Sequence, residues 1–264
     1  MMNAPTLSVS NASIGYCSKQ TKHIVAENVS LRINRGEMVC LLGTNGCGKS
    51  TLIRSISGMQ PLLSGSVSIE GSDLSLLTVE QRAKAMSVVF TESVSVANMS
   101  VKSIVALGRF PYTSWYGTMT AEDEQYVENA IQMVGLQDIA DKDFSCLSDG
   151  EKQRTMIAKS LAQDTPFILL DEPTAHLDLP NRIETMLLLR KLAHETNKAI
   201  LLSTHELELA LHVADTVWLM QKGGTIEIGS PQELVQKHSF ATAFPKKVFE
   251  IELVNGDFVF KYTL

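Results

Sequence analysis

The residues with the clearest chemical potential form a glycine-rich run that ends in a lysine and two hydroxyl residues. The run comprises Gly43, Thr44, Asn45, Gly46, Cys47, Gly48, Lys49, Ser50 and Thr51. Its glycines let several backbone N–H groups point at one phosphate cluster, at the positive end of the helix expected to follow. Lys49 can reach the β- and γ-phosphates of a nucleotide, and Ser50 can ligate Mg²⁺. The spacing therefore predicts a loop that binds ATP or GTP rather than a plain glycine-rich turn.

Two adjacent carboxylates follow a second apolar run. Residues 167–170 are all apolar, and Asp171, Glu172 and Pro173 come next. Asp171 at such a strand end can hold Mg²⁺ directly or through water, and Glu172 can orient the attacking water or accept its proton. Pro173 would stop the strand, which keeps both carboxylates at the sheet edge where ligands bind in α/β folds.

Short apolar runs alternate with helical patterns in the parts of the chain that carry these residues. The runs cover 38–42, 167–170, 199–202 and 217–220, and the helical patterns cover 50–57, 180–195 and 207–214. Continuous apolar runs are typical of strands buried on both faces, and their alternation with helices predicts a parallel α/β sheet. Residues 7–14 and 29–33 predict further strands, the second one antiparallel because apolar and polar residues alternate along it.

The remaining segments predict additions to this core. Residues 93–165 show helical patterns, and the apolar stripe of a helix over 121–134 would be Tyr126, Ala130, Met133 and Val134. Two β-type runs, 248–254 and 258–262, flank Asn255-Gly256, which predicts a type I′ hairpin. We expect one composite domain over 1–264. Its parts would be a core with an antiparallel β subdomain (1–92 and 166–230), a helical subdomain (93–165) and a C-terminal extension with the hairpin (231–264).

Composition and charge narrow the class of protein. The 264 residues carry a formal net charge of −6, which gives no electrostatic footprint for nucleic acid. Four scattered cysteines predict reduced thiols. The apolar run at 38–42 is far shorter than the ~18 residues that a transmembrane helix needs, and the N-terminus lacks the pattern of a secretory signal. We therefore expect a soluble, cytosolic protein.

A third motif lies between the glycine-rich loop and the carboxylate pair. Residues 147–151 read Leu-Ser-Asp-Gly-Glu, which resembles the L-S-G-G-Q signature of ATP-binding cassette (ABC) ATPases. Asp149 replaces a glycine of that pattern, and Glu151 replaces the glutamine. At a helix N-terminus the Ser148 hydroxyl and the Gly150 amide are good donors to a γ-phosphate. Ser-x-x-Glu can also be a capping box that simply starts a helix.

The resemblance extends to further landmarks in the order of the family. Residues 175–178 resemble the D-loop that crosses the dimer interface, and Asp178 is expected at the nucleotide. His205 resembles the histidine that contacts the γ-phosphate, although a histidine at a strand end can also be structural. Tyr16 resembles the aromatic residue that stacks on adenine. Glu92 stands where most members carry a neutral glutamine, and it could still ligate Mg²⁺.

The resemblance covers residues 7–230 and implies a P-loop NTPase fold, with ATP and Mg²⁺ as ligands. It implies that Lys49, Glu172 and His205 carry catalysis, and that a homodimer binds two ATP head-to-tail. Residues 98–112 resemble the ATPases of iron-chelate, haem and vitamin B12 importers. That resemblance implies separate transmembrane permease subunits, a substrate-binding protein and a place on the inner face of the cell membrane.

Two alternatives remain open at this point: a soluble ABC ATPase of iron–sulfur cluster assembly, and a P-loop kinase that transfers phosphate to a metabolite. Further expectations concern the segment that precedes the helix over 121–134. We expect Val94, Val96, Met99, Phe110, Tyr112 and Trp115 on the surface that docks the permease. Val101, Ile104, Val105 and Leu107 are expected in the core because they recur at helical spacing. Cys47, beside a lysine and a helix N-terminus, is expected to react with thiol reagents.

Overall fold

The computed structural model describes residues 5–17, 21–90, 96, 98–113, 117–244 and 249–262. Its strands are β1 Leu7–Cys17, β2 Lys22–Ile33, β3 Met38–Gly43, β4 Ser64–Ile69, β5 Ser72–Asp73, β6 Met86–Val89, β7 Phe167–Asp171, β8 Ala199–Ser203, β9 Thr216–Met220, β10 Ile226–Gly229, β11 Phe249–Val254 and β12 Asp257–Tyr262. Its α-helices are α1 Lys49–Ile56, α2 Val79–Ala85, α3 Val101–Ala106, α4 Ala121–Met133, α5 Asp149–Ala162, α6 Leu179–Thr196, α7 Leu207–Val213, α8 Pro231–Gln236 and α9 Ser239–Ala243. Across these ranges, no helix combines the length and the apolar character that a membrane span requires.

A six-stranded sheet in the order β10-β9-β3-β8-β7-β6 forms the centre of the fold. The five strands from β9 to β6 are parallel, and β10 pairs antiparallel with β9. All four predicted apolar runs are strands of this sheet, and every residue of β3 and β8 is buried. The parallel sheet predicted from the sequence is confirmed, because apolar side chains cover both of its faces.

Alternate side chains of β3 face two different hydrophobic cores. Met38, Cys40 and Leu42 pack with residues of α3, α4, α5 and α6. Val39 and Leu41 pack with the antiparallel sheet of β2, β1, β4 and β5. Because side chains alternate along a strand, one buried strand fixes the helices on one face of the central sheet and the antiparallel sheet on the other.

The buried face of α4 differs from the predicted stripe. Ala130 and Val134 are buried as expected, but Met133 is exposed. The other buried positions of the helix are Asp123, Val127 and Ile131. Val127, Ala130, Ile131 and Val134 recur at i, i+3, i+4 and i+7, which is the spacing of one helix face, and Met133 lies off that face. Asp123 joins the buried face, where Arg109 donates a hydrogen bond to it at 2.8 Å.

Of the four residues around α3 that were expected in the core, Val101, Ile104 and Val105 are buried, and only Leu107 is not. Leu107 is 46% exposed, because α3 ends at Ala106 and the chain continues as a 3₁₀ helix over Leu107–Tyr112. The tighter turns break the helical spacing that predicted burial.

Of the predicted docking residues, Phe110 and Tyr112 are exposed, and Val96 and Met99 pack partly against the core. Val94 and Trp115 lie outside the described residues. The docking surface itself stays a prediction.

The strands β11 and β12 form the predicted hairpin. Asn255 and Gly256 have φ angles of 54° and 92°, and a type I′ turn needs positive φ at both positions. The hairpin packs against the rest of the chain, since Ile251 is buried and the ring of Phe258 lies 5.5 Å from that of His212 on α7. Both strand pairing and turn type are confirmed.

Candidate nucleotide-binding site

The glycine-rich loop connects β3 to α1. Gly46 and Gly48 have φ angles of 77° and 117°, in the left-handed region that residues with a Cβ rarely adopt. A Cβ at Gly48 would lie 2.3 Å from Cγ1 of Val25 and 2.7 Å from Cε of Met220. The backbone therefore requires glycine here, and the resulting curl leads directly into the N-terminus of α1, which favours anions.

Lys49 is the first residue of α1, and its side chain folds back into the loop. Its Nζ donates to the carbonyl oxygen of Gly43 at 2.8 Å, and the residue is buried. The next residue, Ser50, is exposed. Because both the ammonium and the helix N-terminus are positive, the loop can hold a phosphate with backbone amides and one cation.

Tyr16 on β1 contacts the same helix. Its hydroxyl lies 2.9 Å from Oγ1 of Thr51, and the residue is exposed. An anchored hydroxyl with an accessible ring suits stacking on a base. The structure therefore places the candidate adenine-binding residue at the first turn of α1.

The carboxylate pair lies where β7 ends beside β8. Oγ of Ser203 donates to Oδ1 of Asp171 at 2.5 Å and accepts from the backbone N–H of Glu172 at 3.0 Å. Glu172 has a φ of 45°, a conformation that costs about 1–3 kcal/mol for a residue with a Cβ. Sequence reasoning missed Ser203, whose only signal is its position at the end of a predicted strand.

His205 lies between two carboxylates. Its Nδ1 is 3.5 Å from Oε2 of Glu172, and its Nε2 is 3.5 Å from Oε1 of Glu206. Glu206 also accepts from Nη1 of Arg182 at 2.7 Å, which holds that carboxylate in place. The structure thus brings Glu172 and His205 together, and a carboxylate beside an imidazole can orient a water and move its proton.

A cavity of about 250 Å³ opens between the loop and His205. Its lining residues are Leu42, Gly43, Thr44, Asn45, Thr204, His205 and Phe244. Phe244 follows α9, which packs against β9. No motif pointed to this residue, because its place in the lining depends on packing between segments that are remote in sequence.

The oxygen donors of this region fit Mg²⁺. Ser50 offers a hydroxyl and Asp171 a carboxylate, and Mg²⁺ prefers such hard ligands together with phosphate oxygens. In the part of the chain that the structure describes, no three His, Cys, Asp or Glu residues gather into a metal site of their own. The donor set therefore suits a metal shared with a nucleotide. Glu92, the third predicted ligand, lies outside the described residues.

Ser148 begins the signature helix α5 as its N-cap. Its hydroxyl and its backbone N–H both donate to Oε2 of Glu151, at 2.9 and 2.7 Å. Its oxygen accepts from the backbone N–H of Glu151 at 3.3 Å. The capping box is therefore formed. The hydrogen bonds from the backbone and hydroxyl of Ser148 lower the pKa of Glu151 below its usual range, so its carboxylate is charged at neutral pH.

Asn181 lies between Gly150 and Asp178 and contacts both residues. A Cβ at Gly150 would lie 2.4 Å from Oδ1 of Asn181, and Nδ2 of Asn181 donates to Oδ1 of Asp178 at 2.7 Å. Hydrogen bonds from the backbone and side chain of Asn181 lower the pKa of Asp178. Between described residues, no hydrogen bond or ion pair joins this cluster to the phosphate loop.

The cysteine inside the loop does not fit the expected reactivity. Cys47 is buried, and its Sγ would lie 2.7 Å from a Cβ at Gly43. Burial shields the thiol from a bulky reagent, which needs an accessible thiolate. Cys17 and Cys146 are the exposed cysteines.

Comparisons with known proteins identify relatives over nearly the whole chain. A family model described as "ABC transporter" matches residues 26–175. An ABC transporter ATP-binding protein of Methanocaldococcus jannaschii is 38% identical, covering 97% of this chain and 87% of that protein. The iron(3+)-hydroxamate import ATP-binding protein of Bacillus subtilis is 31% identical, covering 94% of this chain and 88% of that protein.

Two solved structures share the architecture. A metal-chelate type ABC transporter in an inward-facing conformation matches with a TM-score of 0.80 at 24% identity, over 98% of this chain and 97% of that chain. A dimeric bacterial ABC transporter cassette matches with a TM-score of 0.72 at 26% identity, over 85% of this chain and 98% of that chain. These matches confirm the predicted P-loop NTPase core with antiparallel strands and inserted helices.

Proposed function

The chain belongs to the ABC transporter family of ATP-binding proteins, and we propose that it powers a membrane importer for an iron–siderophore, haem or cobalamin-type ligand. The observation that carries the proposal is the likeness to the iron(3+)-hydroxamate import ATP-binding protein over 94% of this chain. That likeness favours an importer and gives no support to iron–sulfur cluster assembly or to a kinase. Hydrolysis of ATP is the activity of the family.

In this proposal the phosphate loop and Lys49 bind the β- and γ-phosphates of ATP, and Tyr16 stacks on adenine. Glu172 orients a water and takes its proton as the water oxygen bonds to the γ-phosphorus. The bond from that phosphorus to the β–γ bridging oxygen breaks, and ADP leaves with the oxygen. His205 contacts the γ-phosphate from beside Glu172. When bound by Ser50 and Asp171, Mg²⁺ offsets the phosphate charge.

Two copies are needed for complete sites in this proposal. Ser148 and Gly150 make no hydrogen bond to the phosphate loop of their own chain within the described residues, so we assign them to the nucleotide of the partner copy. The dimeric cassette among the structural relatives supports this arrangement.

An exposed apolar surface offers a place for the membrane partner. Phe110 is 74% exposed, and Leu107 and Tyr112 of the same 3₁₀ segment are also exposed. The helix α2, whose first residue Val79 is also exposed, lies beside this 3₁₀ segment. The Nζ of Lys84 on α2 is 5.3 Å from the ring centroid of Tyr112. Apolar and aromatic residues are enriched at the centres of protein interfaces. We assign this surface to a permease subunit, which would hold the chain on the inner face of the membrane beneath a substrate-binding protein.

The proposal is tested by the variant Phe110→Glu in a membrane preparation that carries the permease. We expect co-purification with the permease and ATP-driven uptake of a ferric hydroxamate to be lost, while ATP hydrolysis by the free chain is kept. Tyr262→Glu is the matched control, because Tyr262 is an aromatic of similar exposure, 68%, on the hairpin, which packs against α7, α8 and α9. Normal uptake by Phe110→Glu would reject the surface, and no association of the parent chain with any membrane subunit would reject the importer.

A further inference from the structure

A buried ion pair in the helical part has no role in the nucleotide site described above. Nε of Arg109 donates to Oδ1 of Asp123 at 2.8 Å, and each side chain is only 6% exposed. The guanidinium carbon lies 4.0 Å from the ring centroid of Tyr112 and 4.1 Å from that of Tyr126. Taking two charges out of water is costly unless their geometry is well satisfied, so the pair calls for an explanation.

The same guanidinium reaches the signature helix. Its Nη1 donates at 2.9 Å to the carbonyl oxygen of Ala162, the last residue of α5. Gly108, the residue before Arg109, also lies close to α5: a Cβ at this position would be 2.3 Å from the carbonyl oxygen of Lys159. A cation at the C-terminus of a helix also interacts favourably with the helix dipole. Arg109 therefore fixes α5 at the end opposite Ser148.

The outer side of the same segment is the surface assigned above to the permease. Leu107 and Phe110 flank Gly108 and Arg109 in sequence and are exposed. Tyr112 covers one face of the guanidinium and is itself partly accessible. One 3₁₀ segment thus contacts α5 on its inner side and presents apolar side chains on its outer side.

We propose that Arg109 is a positioning residue that sets the angle of the signature helix and passes a displacement at the permease surface to Ser148 and Gly150. The inference rests on the proposed function, in which the N-terminus of α5 contacts the nucleotide of the partner copy. Arg109 acts through α5 and touches neither ATP nor water.

The length of α5 makes its C-terminal end a sensitive place for such control. The helix has 14 residues, which corresponds to about 21 Å at ~1.5 Å per residue. A tilt of about 5° around the Arg109 end would move Ser148 by about 2 Å, and a hydrogen bond does not survive a change of that size. A small shift of residues 107–112 is therefore enough to engage or release the signature.

The test compares variants in a Glu172→Gln background, where bound ATP should not be consumed. Arg109→Lys keeps the charge but removes the planar guanidinium, whose separate Nε and Nη1 donors bond Asp123 and Ala162. Arg109→Met combined with Asp123→Asn leaves no unpaired buried charge and guards against simple misfolding. Lys102→Ala is the control, because Lys102 pairs with Glu128 at 3.2 Å between α3 and α4, and neither side chain forms a described hydrogen bond or ion pair with α5.

We expect both Arg109 variants to bind a fluorescent ATP analogue as monomers within about twofold of the parent. The ATP concentration for half-maximal dimerisation should rise at least tenfold, and amide hydrogen exchange in the first turn of α5 should accelerate while that of α6 does not. The control should match the parent in all three measurements.

Two outcomes would overturn the inference. Parental dimerisation and parental exchange at α5, with only a lower melting temperature, would reduce Arg109 to a stabilising residue. Uniformly faster exchange throughout α4, α5 and α6 would show general loosening instead of positioning. Failure of the parent to dimerise with ATP would count against the proposed function, while the exchange measurement would still decide whether Arg109 orders the far end of α5.

Discussion

The phosphate-loop region and the signature region both place hydrogen-bond donors at a helix N-terminus, but they hold those donors differently. At α1, glycine conformations shape the loop, and Nζ of Lys49 donates to the carbonyl of Gly43 at 2.8 Å. At α5, the hydroxyl and the amide of Ser148 both donate to the carboxylate of Glu151. At α1 the donors are positioned by the main chain of neighbouring residues. At α5 the carboxylate of Glu151 accepts from the same donors of Ser148 that a phosphate would need.

This difference separates local from long-range control. The hydrogen bond from Lys49 to Gly43 and the glycine conformations of the loop lie within one strand, one turn and one helix. The signature helix depends at its other end on Arg109, which lies 53 positions from Ala162. The phosphate loop should therefore respond mainly to changes of its own residues, whereas the signature region should respond to changes at Glu151 and at distant contacts.

The largest effect should come from Glu172→Gln, which keeps the shape of the side chain but removes its basicity. We expect hydrolysis to fall by about 10²-fold or more, with ATP still bound and a dimer accumulating, as measured by phosphate release and size-exclusion chromatography. Glu206→Gln is the control, because Glu206 contacts the other nitrogen of His205. This variant should reduce hydrolysis much less than Glu172→Gln. Full activity of Glu172→Gln would move the base role to Asp178 or His205.

The next effect should come from Lys49→Ala, which removes the cation of the phosphate loop. Charge-assisted hydrogen bonds are worth about 1.5–3 kcal/mol each, so we expect ATP to bind about 10²-fold more weakly in a titration with a fluorescent analogue. Lys152→Ala removes a lysine from the surface of α5 and should bind ATP like the parent. Near-normal affinity and turnover in Lys49→Ala would defeat the assignment of the loop.

The smallest effect, and an opposite one, should come from Glu151→Gln in the Glu172→Gln background. Glutamine can keep the capping box, but it removes a negative charge that holds the hydroxyl of Ser148 and repels phosphate. We expect the ATP concentration for half-maximal dimerisation to fall about threefold, because one charged hydrogen bond no longer competes. Asp149→Asn should change less, since among the described residues Asp149 pairs with Lys152 at 3.9 Å and has no hydrogen bond to Ser148. Weaker dimerisation of Glu151→Gln would show that the carboxylate assists the signature.

The parts of the fold that follow from local pattern were predictable. The apolar run at 38–42 became β3, and the helical pattern from 50 became α1, which starts one residue earlier. The hairpin turn was predictable because Asn-Gly accepts the positive φ angles of a type I′ turn. In contrast, β2 begins at Lys22 and was expected only from 29, because apolar and polar residues do not alternate over its first half.

The sequence by itself determined the residue types, their order and the main-chain shape of the phosphate loop, because glycine conformations and strand burial act over a few neighbouring residues. Tertiary structure alone decided that Ser203 orients the Asp171–Glu172 pair, that Glu172 lies 3.5 Å from His205, and that Phe244 lines the cavity. It also decided that the carboxylate of Asp123 is buried, because Arg109 reaches it from another segment. Such contacts depend on how strands and helices pack across the sheet, and neither spacing nor composition carries that information.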